Sequence, residues 1–304
     1  MLEEVVVEQP EKNMNIPDVT IKKLLESGVH LGHKTFRWNP KMNKYIFGSK
    51  NSIHIIDLVQ TTELIKAALV EIHKCISSGG KILFVSTKKQ AAETVVKLAT
   101  ETSQYHVTHR WLGGMLTNWK TISNSIKRYK KLSLDLKNEN TGFTKKENLK
   151  MGIQRDKLER SLGGIAEMKK VPEMIFIIDV NVESIAVAEA IKLNIPIVAI
   201  VDTNSDPTGI NFPIPGNDDA RRAINLYSDL VKQTILDAQK NITVKADSEE
   251  LKYSKVEKIK SENKDKKIEI REKEKKVESS DKKIEKKPKS IISKIKSLAL
   301  KKKK

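Results

Sequence analysis

The sequence predicts an α/β fold: a doubly wound parallel sheet with helices on both faces, an inserted antiparallel helical hairpin, and a disordered basic C-terminal tail. Short, nearly continuous apolar segments such as Met174–Ile178 and Ile197–Val201 alternate with helical patterns, which is typical of parallel strands buried on both faces. About 60 residues of helical character separate the third predicted strand from the fourth. From about Thr243 the chain becomes a Lys/Glu mixture without enough apolar surface to offset ordering entropy.

Three strands are predicted in the first half of the domain, at residues 53–57, 81–86 and 105–108. Between the first two, apolar residues at helical spacing predict a helix that Thr61 or Thr62 caps and that Gly79–Gly80 ends. Between the second and the third, Thr87–Gln90 has the spacing of a capping box and opens a helix over residues 91–98.

Two further strands are predicted in the second half, at residues 174–179 and 197–202. An Ala-rich helix over 182–193 connects them. Asn217 is predicted to cap a last helix, with Asp218 and Asp219 in its first turn, that runs to about Gln239. Right-handed crossovers between such strands produce the doubly wound arrangement.

The long helical stretch predicts a hairpin inserted at about residues 116–170. Apolar residues at helical spacing favour a first helix over 116–136, and residues 138–142 are typical of a turn. Thr144–Glu147 has capping-box spacing and opens a second helix that continues through Leu149, Ile153, Leu158 and Leu162. We therefore expect an antiparallel pair of charged helices that projects from the sheet.

The chain is strongly basic, with a formal net charge of +18, which implies a polyanionic partner, either nucleic acid or an acidic membrane surface. We divide it into an N-terminal extension at 1–17, an α/β domain at 18–240 and a tail at 241–304. The tail holds 23 Lys and Arg against 12 Asp and Glu, so it carries most of the excess charge and the domain is moderately basic.

The chain is expected to be cytoplasmic and to have no membrane partner. No segment approaches the roughly 20 apolar residues of a membrane helix. The single cysteine, Cys75, excludes an intramolecular disulfide and a multi-cysteine metal site. Secretory and mitochondrial leaders are disfavoured because the N-terminus is acidic, with Glu3, Glu4, Glu8 and Glu11.

The motifs with which a doubly wound fold binds nucleotides are missing from the sequence. No Gly-x-Gly-x-x-Gly follows a predicted strand, and Gly79–Gly80 and Lys81 precede their strand and lack the spacing of a phosphate loop. We therefore predict that the protein is not an enzyme and has no catalytic residues, no cofactor and no small-molecule substrate.

Two segments leave a metal hypothesis open, although the site prediction includes no metal. Residues 202–206 follow the fifth predicted strand and offer two aspartates that could hold Mg²⁺, while turn formation before Pro207 is the favoured interpretation. His30 and His33 lie two residues apart, but no cysteine and no obvious third ligand lies near them in the sequence.

Two clusters combine cations with aromatic residues, as RNA-binding surfaces do. Residues 34–45 hold four cations and three aromatics, and His109–Gly114 repeats the combination with two glycines. Lys and Arg neutralise phosphates, and aromatic faces accept unstacked bases. The alternative is that Trp38 and Trp111 are simply core residues.

Several unusual strings resemble the bacterial ribosomal protein S-two family, in order and without large gaps from about Ile21 to Gln239. They are Gly32–Lys34, Arg37–Met42, Arg110–Asn118, Leu162–Ile165 with Pro172 and Glu173, and Phe212–Asp218. The resemblance implies a flavodoxin-like sheet with an inserted helical hairpin. It also implies binding to small-subunit ribosomal RNA and to neighbouring subunit proteins, and a role in docking the largest of them, which binds mRNA.

The resemblance is incomplete at two places, since Ser86–Lys89 stands where the family often has Gly-Thr-Lys, and the lysine-rich tail looks lineage-specific. Two rival hypotheses are an α/β enzyme that acts on RNA and a coiled-coil adaptor that works through its hairpin alone. The predicted RNA-binding residues are His33, Lys34, Arg37, Trp38, Lys41, Lys44, Lys88, Lys89, Arg110, Trp111, Lys120, Lys127 and Arg128.

Overall fold

A computed structural model describes residues 14–137 and 143–241. Most of the predicted N-terminal extension, the predicted turn at 138–142 and the tail from residue 242 onward lie outside the described residues. No helix among the described residues has both the length and the apolar character needed to cross a membrane.

The domain begins with a short helix and a small antiparallel sheet that the sequence did not predict. Helix α1 spans Ile21–Glu26, and strands β1 (Leu31–Lys34), β2 (Ile46–Lys50) and β3 (Ile53–Ile56) pair in the order β1-β3-β2. The first predicted strand therefore exists as β3, but the expectation that it belongs to the parallel sheet was wrong. Asn51 and Ser52 form the turn between β2 and β3 with φ of 52° and 60°, a left-handed conformation usual in tight hairpins.

A five-stranded parallel sheet forms the centre of the domain, in the order β5-β4-β6-β7-β8. Its strands are β4 (Ile82–Val85), β5 (Tyr105–Val107), β6 (Met174–Ile178), β7 (Ile197–Val201) and β8 (Phe212–Pro215). The prediction of β4 to β7 is confirmed, whereas β8 was missed because Pro213 and Pro215 interrupt its pattern. Proline lacks the N–H that a central strand needs, and β8 indeed lies at the edge, paired only with β7.

Helices cover both faces of the parallel sheet, as predicted. They are α2 (Leu58–Ser77), α3 (Lys89–Glu101), α4 (Trp119–Asp135), α5 (Lys145–Leu162), α6 (Ser184–Lys192) and α7, residues 221–241. Alternate residues of each strand enter two separate buried clusters: Phe84 joins residues of α2, α3 and α7, and Leu83 joins residues of α4, α5 and α6. This is a doubly wound arrangement.

Three of the four predicted N-terminal helix caps need correction. The carboxylate of Asp57, not Thr61 or Thr62, caps α2 by accepting from Val59 N at 2.9 Å, and Lys88 is the N-cap of α3 without any side-chain cap bond. Asn217 Oδ1 accepts from the N–H of Asp219 and Ala220, in the turn before α7 rather than at its first residue. The capping box that Thr144 and Glu147 form at the start of α5 is confirmed.

Helices α4 and α5 lie side by side, and Arg128 Nη2 donates to Gln154 Oε1 at 3.3 Å. Their sheet-proximal ends are held in the core, since Ile122 and Leu162 are buried in the same cluster as residues of the sheet. The second predicted helix is present as α5, and farther out its Leu149 and Ile153 are 68% and 62% exposed.

Candidate nucleic-acid interface

The segment that follows β1 exposes most of its cations to solvent. Lys34, Arg37 and Lys44 are exposed, and within residues 14–137 and 143–241 none of them lies within 4 Å of a carboxylate. The guanidinium of Arg37 lies 5.5 Å from the centroid of the Phe36 ring, and Lys44 Nζ lies 4.6 Å from that of Tyr45. Aromatic rings thus orient two cations at the surface.

Lys41 differs from these three because it already has a partner. Its Nζ lies 2.7 Å from Asp206 Oδ2 and 3.0 Å from Thr208 Oγ1, in the loop after β7. The hydrogen bond from Lys41, followed by those from Thr208, lowers the pKa of Asp206 to about 2. No acidic residue lies between Gly32 and Ile56 in the sequence, but in the folded chain the carboxylate of Asp206, 165 residues from Lys41, offsets the charge of that lysine.

The two predicted tryptophans have different environments. Trp38 keeps 37% of its surface exposed, and its ring centroid lies 5.5 Å from that of His54. Trp111 is buried, and its Nε1 donates to Glu189 Oε1 at 3.0 Å. The core alternative therefore describes Trp111, while the neighbouring Arg110 is exposed.

Helix α4 carries the largest net positive charge among the described helices. It holds five basic residues and a single acidic one, Asp135 at its C-terminal end. The predicted Arg128 is exposed but donates to Gln154, and the prediction omitted two members of the group. The exposed basic residues of α4 are Lys120, Lys127, Arg128, Lys130 and Lys131.

Lys88 lies inside the protein, whereas the neighbouring Lys89 is exposed at the start of α3. The Lys88 side chain is 14% exposed, and its Nζ lies 3.0 Å from Asp179, 2.8 Å from Asp218 and 2.6 Å from Asp219. Burial opposes its charge, but the charges and hydrogen bonds of these carboxylates outweigh burial and raise the pKa of Lys88.

Lys88 forms its contacts at the point of the fold where open parallel sheets bind ligands. The strand order reverses between β4 and β6, since the chain runs from β4 outward to β5 and returns to β6. Ligands of such folds bind at this point, beyond the carboxyl ends of the strands. Here Lys88, after β4, pairs with Asp179, after β6, and Thr87 N–H donates to Glu183 Oε1 at 2.6 Å.

His33 meets three carboxylates next to this point of the fold, which corrects the expectation that no third ligand lies near it. Its Nδ1 lies 2.8 Å from Asp202 and its Nε2 3.5 Å from Asp219, and ligand atoms of His33, Asp202, Asp218 and Asp219 all lie within 4.8 Å of one another. The hydrogen bond to Asp202 raises the pKa of His33 against the effect of burial. Imidazole and carboxylates suit a divalent cation by type, while Lys88 already compensates Asp218 and Asp219.

The segment that follows β7 forms the predicted turn. Ser205 N–H donates to the carbonyl of Asp202 at 3.0 Å. The two aspartates of the segment have separate partners, His33 for Asp202 and Lys41 for Asp206.

Two functional candidates escaped the sequence prediction for different reasons. The pairing of Asp206 with Lys41 gave no signal in the sequence, because the two residues lie 165 positions apart. Glu189 gave a usable signal, because it lies between Ala188 and Ala190 in an otherwise apolar helix and Ala190 is buried, and a buried carboxylate requires several donors.

Comparison with known proteins identifies similar sequences over most of the chain. The family model described as Ribosomal protein S2 matches residues 24–238. The Small ribosomal subunit protein uS2 of Parvibaculum lavamentivorans is 55% identical over 224 residues, which are 74% of this chain and 88% of the relative. Its namesakes from Sinorhizobium medicae and Bartonella henselae are 54% and 56% identical over the same share of this chain and 88% and 87% of their own lengths.

Proposed function

The chain belongs to the ribosomal protein S2 family, and from this premise we propose that it binds small-subunit ribosomal RNA through the exposed cations of the β1–β3 region and of α4. Its role in the small ribosomal subunit, a cytoplasmic particle, is structural, and it is not an enzyme. The ion pair of Lys88 with Asp179 supports this role, because it lies at the point where related sheet folds bind a nucleotide or coenzyme.

The observation that carries the RNA-binding proposal is the charge of α4. Five basic residues precede its one acidic residue, and a solvated helix gains nothing from such self-repulsion unless a polyanion neutralises it. Phosphates of RNA do so and release counterions. The second part of the interface consists of Lys34, Arg37 and Lys44, with Trp38 available to stack on an unpaired base.

The predicted site residues divide accordingly. The buried Trp111 and the partly buried Lys88 and His33 support the interface through their contacts with carboxylates. Lys41 contributes less than its neighbours because Asp206 already offsets its charge. The direct RNA contacts that we propose are Lys34, Arg37, Trp38, Lys44, Lys89, Arg110, Lys120, Lys127, Arg128, Lys130 and Lys131.

We also propose that the β1–β3 region contacts neighbouring subunit proteins, including the large mRNA-binding one that the family resemblance implies. Phe36, just after β1, and Phe47, in β2, are 73% and 79% exposed. Exposed aromatic side chains favour an apolar partner surface over phosphates. Alanine at both positions should weaken binding of that protein to reconstituted subunits without changing the salt dependence of RNA binding.

Cosedimentation with small ribosomal subunits depleted of this protein tests the proposal. We expect the full chain to migrate with the subunits in a Mg²⁺-containing gradient, and the Lys127→Glu/Lys131→Glu variant to migrate mostly as free protein. The matched control is Lys66→Glu/Lys74→Glu on α2, outside the proposed interface, which should migrate with the subunits. A slow free-protein peak for the unmodified chain would overturn the proposal.

A further inference from the structure

We propose that Glu189 is a positioning residue that fixes the Trp111–Thr117 loop and thereby presents Arg110 and Lys120 to RNA, an inference that rests on the proposed function. Both oxygens of its carboxylate accept hydrogen bonds from this one loop. Oε1 accepts from Trp111 Nε1 at 3.0 Å and from Gly114 N at 2.7 Å. Oε2 accepts from Leu116 N at 2.9 Å and from the N and Oγ1 of Thr117 at 3.1 and 3.2 Å.

The carboxylate is buried without a cationic partner. Glu189 is 7% exposed, and in the described part of the chain it forms no ion pair within 4 Å, so neutral N–H and O–H dipoles compensate its charge. Burial alone would raise the pKa of Glu189, but the hydrogen bonds from Thr117, Trp111, Leu116 and Gly114 outweigh burial and lower it. Glu189 is therefore ionised at neutral pH, and both of its oxygens act as acceptors.

The loop needs such an anchor because neither a helix nor a strand fixes its backbone. It follows β5 and ends where α4 begins at Trp119, and Gly114 adopts a positive φ of 81°. Its other backbone bonds are short-range turns, such as Met115 N to Leu112 O at 3.0 Å. Glu189 is itself held by α6, whose Ala186 and Ala190 are fully buried.

The position of the loop connects this anchor to the interface. Arg110 directly precedes the loop, and Lys120 is the second residue of α4, which begins after the single residue Asn118. A change in the loop therefore alters both the position of Arg110 and the direction in which α4 leaves the sheet. Such shifts matter because cations must match the spacing of phosphates.

Glu189→Gln is the diagnostic substitution because it keeps the shape of the side chain and removes one acceptor. Its amide NH₂ group would face N–H donors for which the described residues provide no other acceptor. Hydrogen exchange should show lost protection at Gly114, Leu116 and Thr117, while the amides of β7 retain theirs. Affinity for protein-depleted small subunits should fall by about tenfold. Unchanged protection of the three loop amides would overturn the proposal.

A double-mutant cycle separates positioning from general damage. In the Arg110→Ala/Lys120→Ala background, Glu189→Gln should reduce affinity much less than in the unmodified protein, because the side chains through which it acts are gone. In the Lys34→Ala/Lys44→Ala background its effect should be undiminished. Equal effects in both backgrounds would overturn the positioning role alone. If Arg110→Ala/Lys120→Ala itself leaves the affinity for small subunits unchanged, these two residues do not contact RNA. The positioning role of Glu189 would then be excluded as well.

Trp111→Phe keeps the test decisive if Glu189→Gln fails to fold. It deletes a single donor to Oε1 and leaves the carboxylate and its four other bonds in place. We expect the same pattern of lost loop protection and background-dependent affinity, but weaker. Full protection and full affinity in this variant would count against the proposal.

Discussion

Lys41 and Asp206 form an exposed ion pair, 2.7 Å between Nζ and Oδ2, that joins the basic segment after β1 to the loop after β7. The pair divides the cations of this segment into two classes. Lys34 and Arg37 have no carboxylate within 4 Å among the described residues, whereas Lys41 must give up or share a partner before it can neutralise a phosphate.

This difference predicts unequal salt dependences. Lys34→Ala/Arg37→Ala should reduce the slope of log affinity against log salt by roughly one to two units, because each neutralised phosphate contributes about 0.7 to 0.9. Lys41→Ala should change it by less than half a unit. The measurement is the affinity for protein-depleted small subunits at KCl concentrations from about 50 to 200 mM and at fixed Mg²⁺. Asp206→Ala is the control and should steepen the slope by freeing Lys41; equal slopes for all variants would remove these side chains from the RNA contacts.

Continuity of α5 should matter for assembly. Leu158→Pro removes a helix hydrogen bond and costs about 3 kcal/mol in a helix interior, so the hairpin should lose its shape. Leu158→Ala, which preserves the helix, is the control. In cells that carry both copies, we expect the proline variant to be depleted from small subunits, as measured by quantitative mass spectrometry, and the alanine variant to be retained. Equal occupancy of both variants would exclude the hairpin as a docking element.

Gly164 should tolerate no side chain. A Cβ at this position would lie 2.1 Å from the carbonyl oxygen of His106, whereas one at Gly163 would have Glu159 Cγ at 3.6 Å as its nearest neighbour. We expect Gly164→Ala to lower the free energy of unfolding by about 1–3 kcal/mol. Gly163 has the right-handed helical φ of -55° and ψ of -47°, so Gly163→Ala should instead raise it by up to about 1 kcal/mol. Urea unfolding measures the free energy of unfolding of both variants. Similar values would mean that the backbone of β5 shifts at little cost to make room for the added Cβ.

The network around Lys88 should be costly to break. Lys88→Met leaves the buried carboxylates of Asp179 and Asp218 without their cation, and removal of one partner from a buried pair costs about 3–5 kcal/mol. Lys89→Met, one residue along and exposed, should change the free energy of unfolding by no more than about 0.5 kcal/mol. Thermal and urea unfolding measure both changes in the free energy of unfolding. If Lys88→Met is as stable as Lys89→Met, the ion pairs of Lys88 do not stabilise the fold, and its charge is available to an external ligand.

The anchor at Glu189 predicts a loss of loop order in acid. Because its pKa in the folded protein is lowered relative to the unfolded chain, its stabilising effect is present above the unfolded-state pKa and disappears as the pH falls through the folded-state value. Protection of the Leu116 and Thr117 amides, corrected for intrinsic exchange, should therefore decline below about pH 4 before β7 opens. Glu189→Gln should abolish this pH dependence; a pH dependence that persists in that variant would assign it to another group.

The sequence predicts the parts of this fold that depend on local apolar patterns. Strands such as β6 are buried throughout, and their composition indicates this directly. β8 was missed because two prolines hide an edge strand, and the β2–β3 hairpin because its turn, Asn51–Ser52, contains no glycine.

The site was harder to predict because the environment of a charge depends on residues remote in sequence. Lys88 and Lys89 are adjacent and chemically identical, but Asp179 and Asp218 reach only Lys88. Likewise, Trp38 and Trp111 occur in similar basic-aromatic strings, and only Trp111 has a buried carboxylate to accept from its indole. Composition predicts a polyanionic partner, whereas separating the exposed cations from those with a carboxylate partner requires the folded chain.

Lys88 contacts Asp179 at the point where open parallel sheets bind coenzymes. A fold that receives a coenzyme at this position gains stability as the coenzyme concentration rises, by mass action. Here the contact is made within one molecule, at an effective concentration that no cellular pool can change. The stability that this ion pair contributes should therefore not depend on the supply of any metabolite.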